Sequence, residues 1–200
     1  PRLLQQRGYV SFQGGKYWEG TFEAAGFTHG MTDRQDDALT PSGGPGIALG
    51  LETMQPVYDF IDAHTDEPFL IWFAPKLPHV PHKPPGEYRR LYANSGLNNA
   101  ARLYYGMCSW FDALAGDLLA HLDAKGLREN TIVVFLADNG WDQPPEKEFR
   151  PWRHDILLGG PKGKHSPYEF GLRTPLVVSW PGTLAAGRAS PELVSVLDLM

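Results

Sequence analysis

TIVVFLADNG, residues 131–140, decides how the rest of the chain is read. From Ile132 to Ala137 every residue is apolar, and the first are β-branched or aromatic. A short run of this kind, with no polar face, predicts a strand buried on both sides in the middle of a sheet. It stops abruptly at Asp138-Asn139-Gly140. In open α/β sheets, ligands bind outside the carboxyl ends of the strands. A carboxylate and an amide oxygen are therefore delivered to the place where a site would form. Both are hard oxygen donors of the kind Ca²⁺ and Mg²⁺ take. Asp-Asn-Gly also ends ordinary strands and opens hairpins, so the stretch alone supports a turn as well as a metal site.

Working outward, the preceding segment predicts a long amphipathic helix over 102–125. Leu103, Met107, Phe111, Leu114, Leu118 and Leu122 form one stripe, and Gly126 is a natural stop. Cys108 sits beside that stripe and reads as a packing residue. Phe69 to Ala74 predicts a second buried strand. The chain from there through the helix to Thr131 is long enough to return as a parallel neighbour. Leu51 to Ala63 has helical spacing despite Pro56, and Leu176 to Trp180 reads as a third apolar strand. Near the start, Leu3 and Leu4 before Gly8 suggest a helix end, and Tyr9 to Gln13 a short strand.

Polar groups cluster after these strands. Lys16 follows Gly14-Gly15 and could meet an anion or simply be a solvated turn lysine. Residues 75–85, PKLPHVPHKPP, contain Pro75, Pro78, Pro81 and Pro84 in their first ten positions. Such spacing predicts a stiff, extended path carrying Lys76, His79 and His82. Histidine is the side chain that titrates near neutral pH, so this is either a catalytic loop or a rigid connection. Residues 28–50 predict a surface loop in which Asp33, Asp36 and Asp37 form a solvated acidic cluster. Trp141, Trp152 and His154 fall in an irregular, polar, proline-rich segment that could touch substrate.

Bulk composition narrows the classes. In 200 residues, 42% hydrophobic and 20% charged, the chain is globular rather than disordered. A net charge of −5 leaves no overall basic footprint for nucleic acid. No apolar stretch approaches the ~20 residues of a membrane span. One cysteine excludes an internal disulfide framework and a cysteine-rich zinc site.

Four segments, GGKYWEG (14–20), APKLPHVPH (74–82), ADNG (137–140) and GKHSPYEFGLRTP (163–175), together resemble the sulfatases of the alkaline-phosphatase superfamily. The resemblance implies an α/β fold, a mostly parallel sheet flanked by helices, with the site at the strand ends. It implies hydrolysis of sulfate monoesters with Ca²⁺, Mg²⁺ being possible, and a formylglycine nucleophile made from Cys or Ser. By that resemblance Asp138 and Asn139 fall on metal ligands. Lys16 and Lys164 fall on sulfate-contacting lysines, Lys164 standing five residues before the acidic Glu169. His79 falls on the histidine that contacts the ester oxygen. The resemblance favours the ligand reading of Asp138-Asn139 over the bare turn.

Two positions depart from the family pattern. Trp18 stands where many members have histidine, and Phe170 where a glycine usually follows the acid. No C-x-P-x-R or S-x-P-x-R occurs in these residues. Residues 1–200 are therefore expected to be part of a single catalytic domain, incomplete at both ends. The nucleophile segment and the smaller C-terminal subdomain would lie outside them, and the piece alone would be inactive. The expected partner is a small sulfate ester or a sulfated glycan, and the expected location is periplasmic, secreted or lysosomal. A phosphonate or phosphodiester hydrolase of the same superfamily, or a silent binding homologue, are the rival readings.

Overall fold

Val10–Gly15, strand β1, pairs in parallel with Phe69–Ala74, strand β3, from Val10↔Phe69 to Gly15↔Ala74. On its other edge β1 pairs in parallel with the two-residue β2, His29–Gly30. The sheet order is β2-β1-β3, so β1 is its central strand. The computed structural model describes residues 1–17, 20–32, 44–140, 164 and 166–199.

Burial on both faces belongs to β1, where Ser11, Phe12, Gln13, Gly14 and Gly15 are all buried. Hydrophobic pattern could not signal this, because two of those residues are polar. Buried polar groups are tolerated when they are hydrogen-bonded, and these are. Ser11 N–H donates to Thr28 Oγ1 at 2.7 Å, and Thr28 Oγ1 donates to the Ser11 carbonyl at 2.8 Å. Gln13 Oε1 accepts from Thr32 N–H at 3.1 Å, and its Nε2 donates to the Gly15 carbonyl at 3.3 Å. One face of β1 is therefore a polar lattice tied to the residues around β2.

The other face is the core. Phe12 packs with Leu49, Val57, Phe60, Ile61 and Leu122, and its ring lies 5.2 Å from that of Phe60. Val57, Phe60 and Ile61 are the inward face of helix α3, Gln55–Ala63. The helix starts later than the hydrophobic spacing from Leu51 suggested. Pro56 sits in its first turn, where a missing N–H costs nothing.

Leu122 comes from helix α5, Asn99–Ala124, whose 26 residues span about 39 Å. Asn98 caps it by accepting from Ala101 N–H at 2.9 Å. Gly126, at φ +69°, closes it, with Leu127 N–H donating to the Leu122 carbonyl at 2.9 Å. His121 of α5 and Lys125, the residue just past its end, both reach Asp62 of α3, at 2.7 and 2.8 Å, and tie the two helices together. Short helices α1 (Arg2–Gln5), α2 (Phe22–Ala25) and α4 (Gly86–Arg90) complete the N-terminal two-thirds.

The stretch that opened the sequence reading behaves differently from expectation. Val133–Leu136, strand β4, does not join β3 in parallel. It pairs antiparallel with β5, Leu176–Ser179, from Val133↔Ser179 to Leu136↔Leu176. One edge of its backbone pairs with β5, and the register is pinned from outside the ladder. Arg128 Nη2 donates to Ser179 Oγ at 2.6 Å, and Trp180 Nε1 to the Glu129 carbonyl at 3.0 Å. Nor is β4 buried on both faces: Ile132, Val134 and Phe135 are 52%, 40% and 38% exposed. Phe135 meets Phe111 of α5 with ring centroids 5.9 Å apart, so α5 gives it one partial cover. The four-residue helix α6, Glu169–Leu172, precedes β5. The fold class stands: a parallel α/β sheet with helices packed on it, plus an antiparallel pair.

Candidate functional site

Three chain segments leave their strands at one end of the molecule. β1 ends in Gly15, whose φ of +94° turns the chain sharply. A Cβ at Gly15 would stand 2.0 Å from the Ala74 carbonyl oxygen, so no other residue fits there unstrained. The tight turn lets Lys16 N–H donate to that same carbonyl at 2.6 Å. Lys16 thus emerges beside the residue where β3 gives way to Pro75 and Lys76.

β4 ends beside them. Lys16 Nζ lies 3.9 Å from Asp138 Oδ2, with the lysine side chain 26% and the aspartate 60% exposed. An ion pair this long and this wet contributes little stability. Its meaning is positional, since it joins the ends of two strands that belong to different sheets. Next to it, Asn139 Nδ2 donates to the Gly140 carbonyl at 2.8 Å. That engages the amide nitrogen and leaves Oδ1 as the acceptor. A carboxylate and an amide oxygen side by side suit a hard cation. They supply two of the six to eight oxygens Ca²⁺ takes, and no cluster of three or more His, Cys, Asp or Glu completes a sphere among the described residues.

Lys164 is half-buried and lies in the segment leading to α6. That segment is anchored to the end of β4, because Gly140 N–H donates to the Gly171 carbonyl at 2.9 Å. Gly171 is buried and follows Phe170. Glu169 pairs with Arg173 at 3.2 Å in an exposed i,i+4 bridge.

His79 sits on the proline-rich segment, which is turned rather than extended: His79 N–H donates to the Lys76 carbonyl at 2.8 Å. Its Nδ1 donates to the Val80 carbonyl at 2.7 Å. That bond sets the tautomer and leaves Nε2 as the nitrogen that can take up and release a proton. His79 borders a concavity of about 250 Å³ together with Lys76, Leu77, Lys83, Met107 and Trp110. Trp110 was not singled out from the sequence; its place one turn after Met107 of the apolar stripe on α5 was the available signal.

Cys108 is half-buried, and burial pushes its thiol up from the ordinary value against a hydrogen bond from Tyr104. A thiol held protonated is a poor nucleophile, in keeping with its reading as a packing residue. Trp18, Asp33, Asp36, Asp37, Trp141, Trp152 and His154 lie outside the described residues.

The family described as Sulfatase matches the chain over residues 1–200. The chain is 31% identical over 147 residues to the N-acetylgalactosamine-6-O-sulfatase of Bacteroides thetaiotaomicron, covering 70% of this chain and 27% of that protein. It is 31% identical over 141 residues to human arylsulfatase A, covering 68% of this chain and 24% of that one. The crystal structure of Ps i-CgsB in complex with k-i-k-neocarrahexaose superposes with a TM-score of 0.76 at 22% identity, over 99% of this chain and 50% of that one. The chain spans about a quarter of the length of these curated relatives.

Proposed function

This chain belongs to the sulfatase family, and from that premise we propose that the intact protein hydrolyses a sulfate monoester at the joined ends of β1, β3 and β4. The observation that carries the reading is the 3.9 Å approach of Lys16 to Asp138. It gathers a cationic side chain and hard oxygen donors where three strands end, which is the composition an oxyanion site needs.

In this reading Asp138 and Asn139 hold Ca²⁺, or Mg²⁺, together with ligands from outside the described residues. The cation, when bound, supplies fixed positive charge against the sulfate oxygens. Lys16 and Lys164 screen the remaining charge. Transfer of a sulfuryl group spreads negative charge over its oxygens and builds it on the leaving oxygen, much as phosphoryl transfer does. His79 answers the second of these. With Nδ1–H held by Val80, the imidazolium gives the Nε2 proton to the departing alkoxide as the S–O bond breaks. We assign the nucleophile, a formylglycine, to a residue outside these 200.

The test is turnover by the purified intact protein of nitrophenyl sulfate beside nitrophenyl phosphate, its phosphodiester and its phosphonate. Sulfate-ester hydrolysis that chelation removes and Ca²⁺ restores is the expected result. Preference for a phosphodiester or phosphonate would move the assignment to another branch of the superfamily. Absence of any turnover would make the chain a binding homologue.

A further inference from the structure

Gln13 is fully buried, yet its main chain is already served by the sheet. It stands opposite Trp72 of β3 on one edge and Gly30 of β2 on the other, and its carbonyl accepts Met31 N–H at 2.9 Å. Side chains alternate along a strand, so Ser11 and Gln13 share one face of β1 while Phe12 points to the other. A side-chain amide taken out of water costs stability unless both of its ends are bonded. An apolar side chain would fill the same space without that demand. The amide therefore has a use beyond filling the space.

What it holds is the turn that carries Lys16. Gln13 Nε2 donates to the Gly15 carbonyl at 3.3 Å, and Gln13 Oε1 accepts Thr32 N–H at 3.1 Å. Lys16 N–H donates to the Ala74 carbonyl at 2.6 Å. The Gly15 carbonyl and the Lys16 N–H belong to one planar peptide unit. That unit is gripped at its oxygen by the Gln13 amide and at its nitrogen by the end of β3. The turn Gly44–Ala48 packs close to the same carbonyl: a Cβ at Gly46 would stand 2.6 Å from the Gly15 oxygen and 3.1 Å from Thr32 Oγ1. This turn is seated in the core, because Leu49 N–H donates to the Gly46 carbonyl at 3.0 Å and Leu49 is fully buried in the cluster around Phe12. With the peptide plane fixed, only the φ and side-chain torsions of Lys16 are left to aim its ammonium group.

We propose that Gln13 is a positioning residue for Lys16. Through the Gly15 carbonyl it holds the turn in the orientation that brings Lys16 Nζ to the strand ends, 3.9 Å from Asp138. The inference rests on the reading of Lys16 as a group that meets the sulfate, and adds to it a residue that touches neither substrate nor cation. Thr32, two residues beyond β2, steadies the amide in turn, so the aim of Lys16 depends on where β2 ends. A charge fixed in advance stabilises a transition state more than a mobile one, because nothing reorganises as charge develops.

The experiment uses the intact protein and nitrophenyl sulfate. Gln13→Met keeps the length of the side chain and removes both bonds. It should lower kcat/KM on the order of tenfold, within the ~10² that a misplacement of about 1 Å can cost. In a Lys16→Ala background the same change should cost less than about twofold, since its effect passes through Lys16. The fall in melting temperature should be equal in both backgrounds. Gly46→Ala, which presses on the same carbonyl, should repeat the pattern and serves if Gln13→Met does not fold. A second readout needs no turnover. Lysines are reductively methylated with isotope-labelled formaldehyde, and the Lys16 resonance is the one missing in Lys16→Arg. Gln13→Met should shift that resonance and leave the one from Lys125, held by Asp62, in place. An unmoved Lys16 resonance, or equal activity losses in the two backgrounds, would overturn the proposal. A moved resonance with full turnover in Lys16→Ala would uphold the positioning and overturn the sulfatase role of Lys16 instead.

Discussion

Lys16 and Asp138 meet at 3.9 Å, although one closes the first strand of the parallel sheet and the other follows the first strand of the antiparallel pair. Neither element alone makes a site. Their ends converge because Phe12 seats β1 on α3 and α5, while Phe111 of α5 carries Phe135 of β4. The long helix is thus the common support of both halves.

If these two residues serve one bound anion, their losses are not independent. In the intact protein Lys16→Ala should lower kcat/KM for a sulfate ester by about 10² to 10³, the usual cost of one preorganised charge-stabilising group. Asp138→Ala should cost at least as much. The double variant should lose less than the product of the two. Strictly multiplicative losses would show that the pair does not act on a common group.

His79→Ala should hurt poor leaving groups most. A proton donor matters when the departing oxygen is basic and hardly at all for nitrophenolate. Alkyl sulfates should therefore lose about ten times more activity than nitrophenyl sulfate, within the 10² to 10⁴ ordinarily supplied by acid catalysis. Equal losses across leaving groups would reduce His79 to a binding residue.

Gly15 carries a prediction about geometry. Its φ of +94° and the 2.0 Å clash of an added Cβ with backbone both oppose substitution. Gly15→Ala should destabilise by about 2 kcal/mol or more, and should also displace Lys16. Denaturant titration of the intact protein checks this. A midpoint unchanged within error would mean that the turn after β1 is not constrained as described.

Asp62 gives a pH dependence. Hydrogen bonds from Lys125 and then His121 hold its carboxyl below the ordinary value. A depressed folded-state pKa contributes stability above the unfolded value, near 3.9, and that contribution is lost as pH falls through the lower folded value. Asp62→Asn should therefore lower the melting temperature at pH 7, and the difference from the unsubstituted protein should shrink on acidification below about pH 4. The effect is small because the site is open to solvent. A difference that stays constant down to about pH 2.5, roughly 1.4 units below the ordinary aspartate value, would mean Asp62 is not the titrating link.

The amino-acid sequence alone settled the local matters. Phe69 to Ala74 as a strand, the capped helix ending at Gly126, and Lys16, Asp138 and Asn139 as residues just beyond strands were legible from periodicity and stop signals. These depend on neighbours within a few positions, which is what such patterns record. Strand partners do not. The apolar run before Asp138 looked like the centre of the sheet, yet β4 pairs only with β5 among the described residues, while the half-polar β1 is central. Burial of Ser11 and Gln13 is possible only because Thr28 and Thr32 reach them across the fold. The hollow at Trp110 likewise arises where Leu51 and residues 76–83 meet α5, a contact between surfaces that no single segment contains. Tertiary structure decided these points because satisfying a buried polar group, or walling a cavity, takes partners that are distant in the chain.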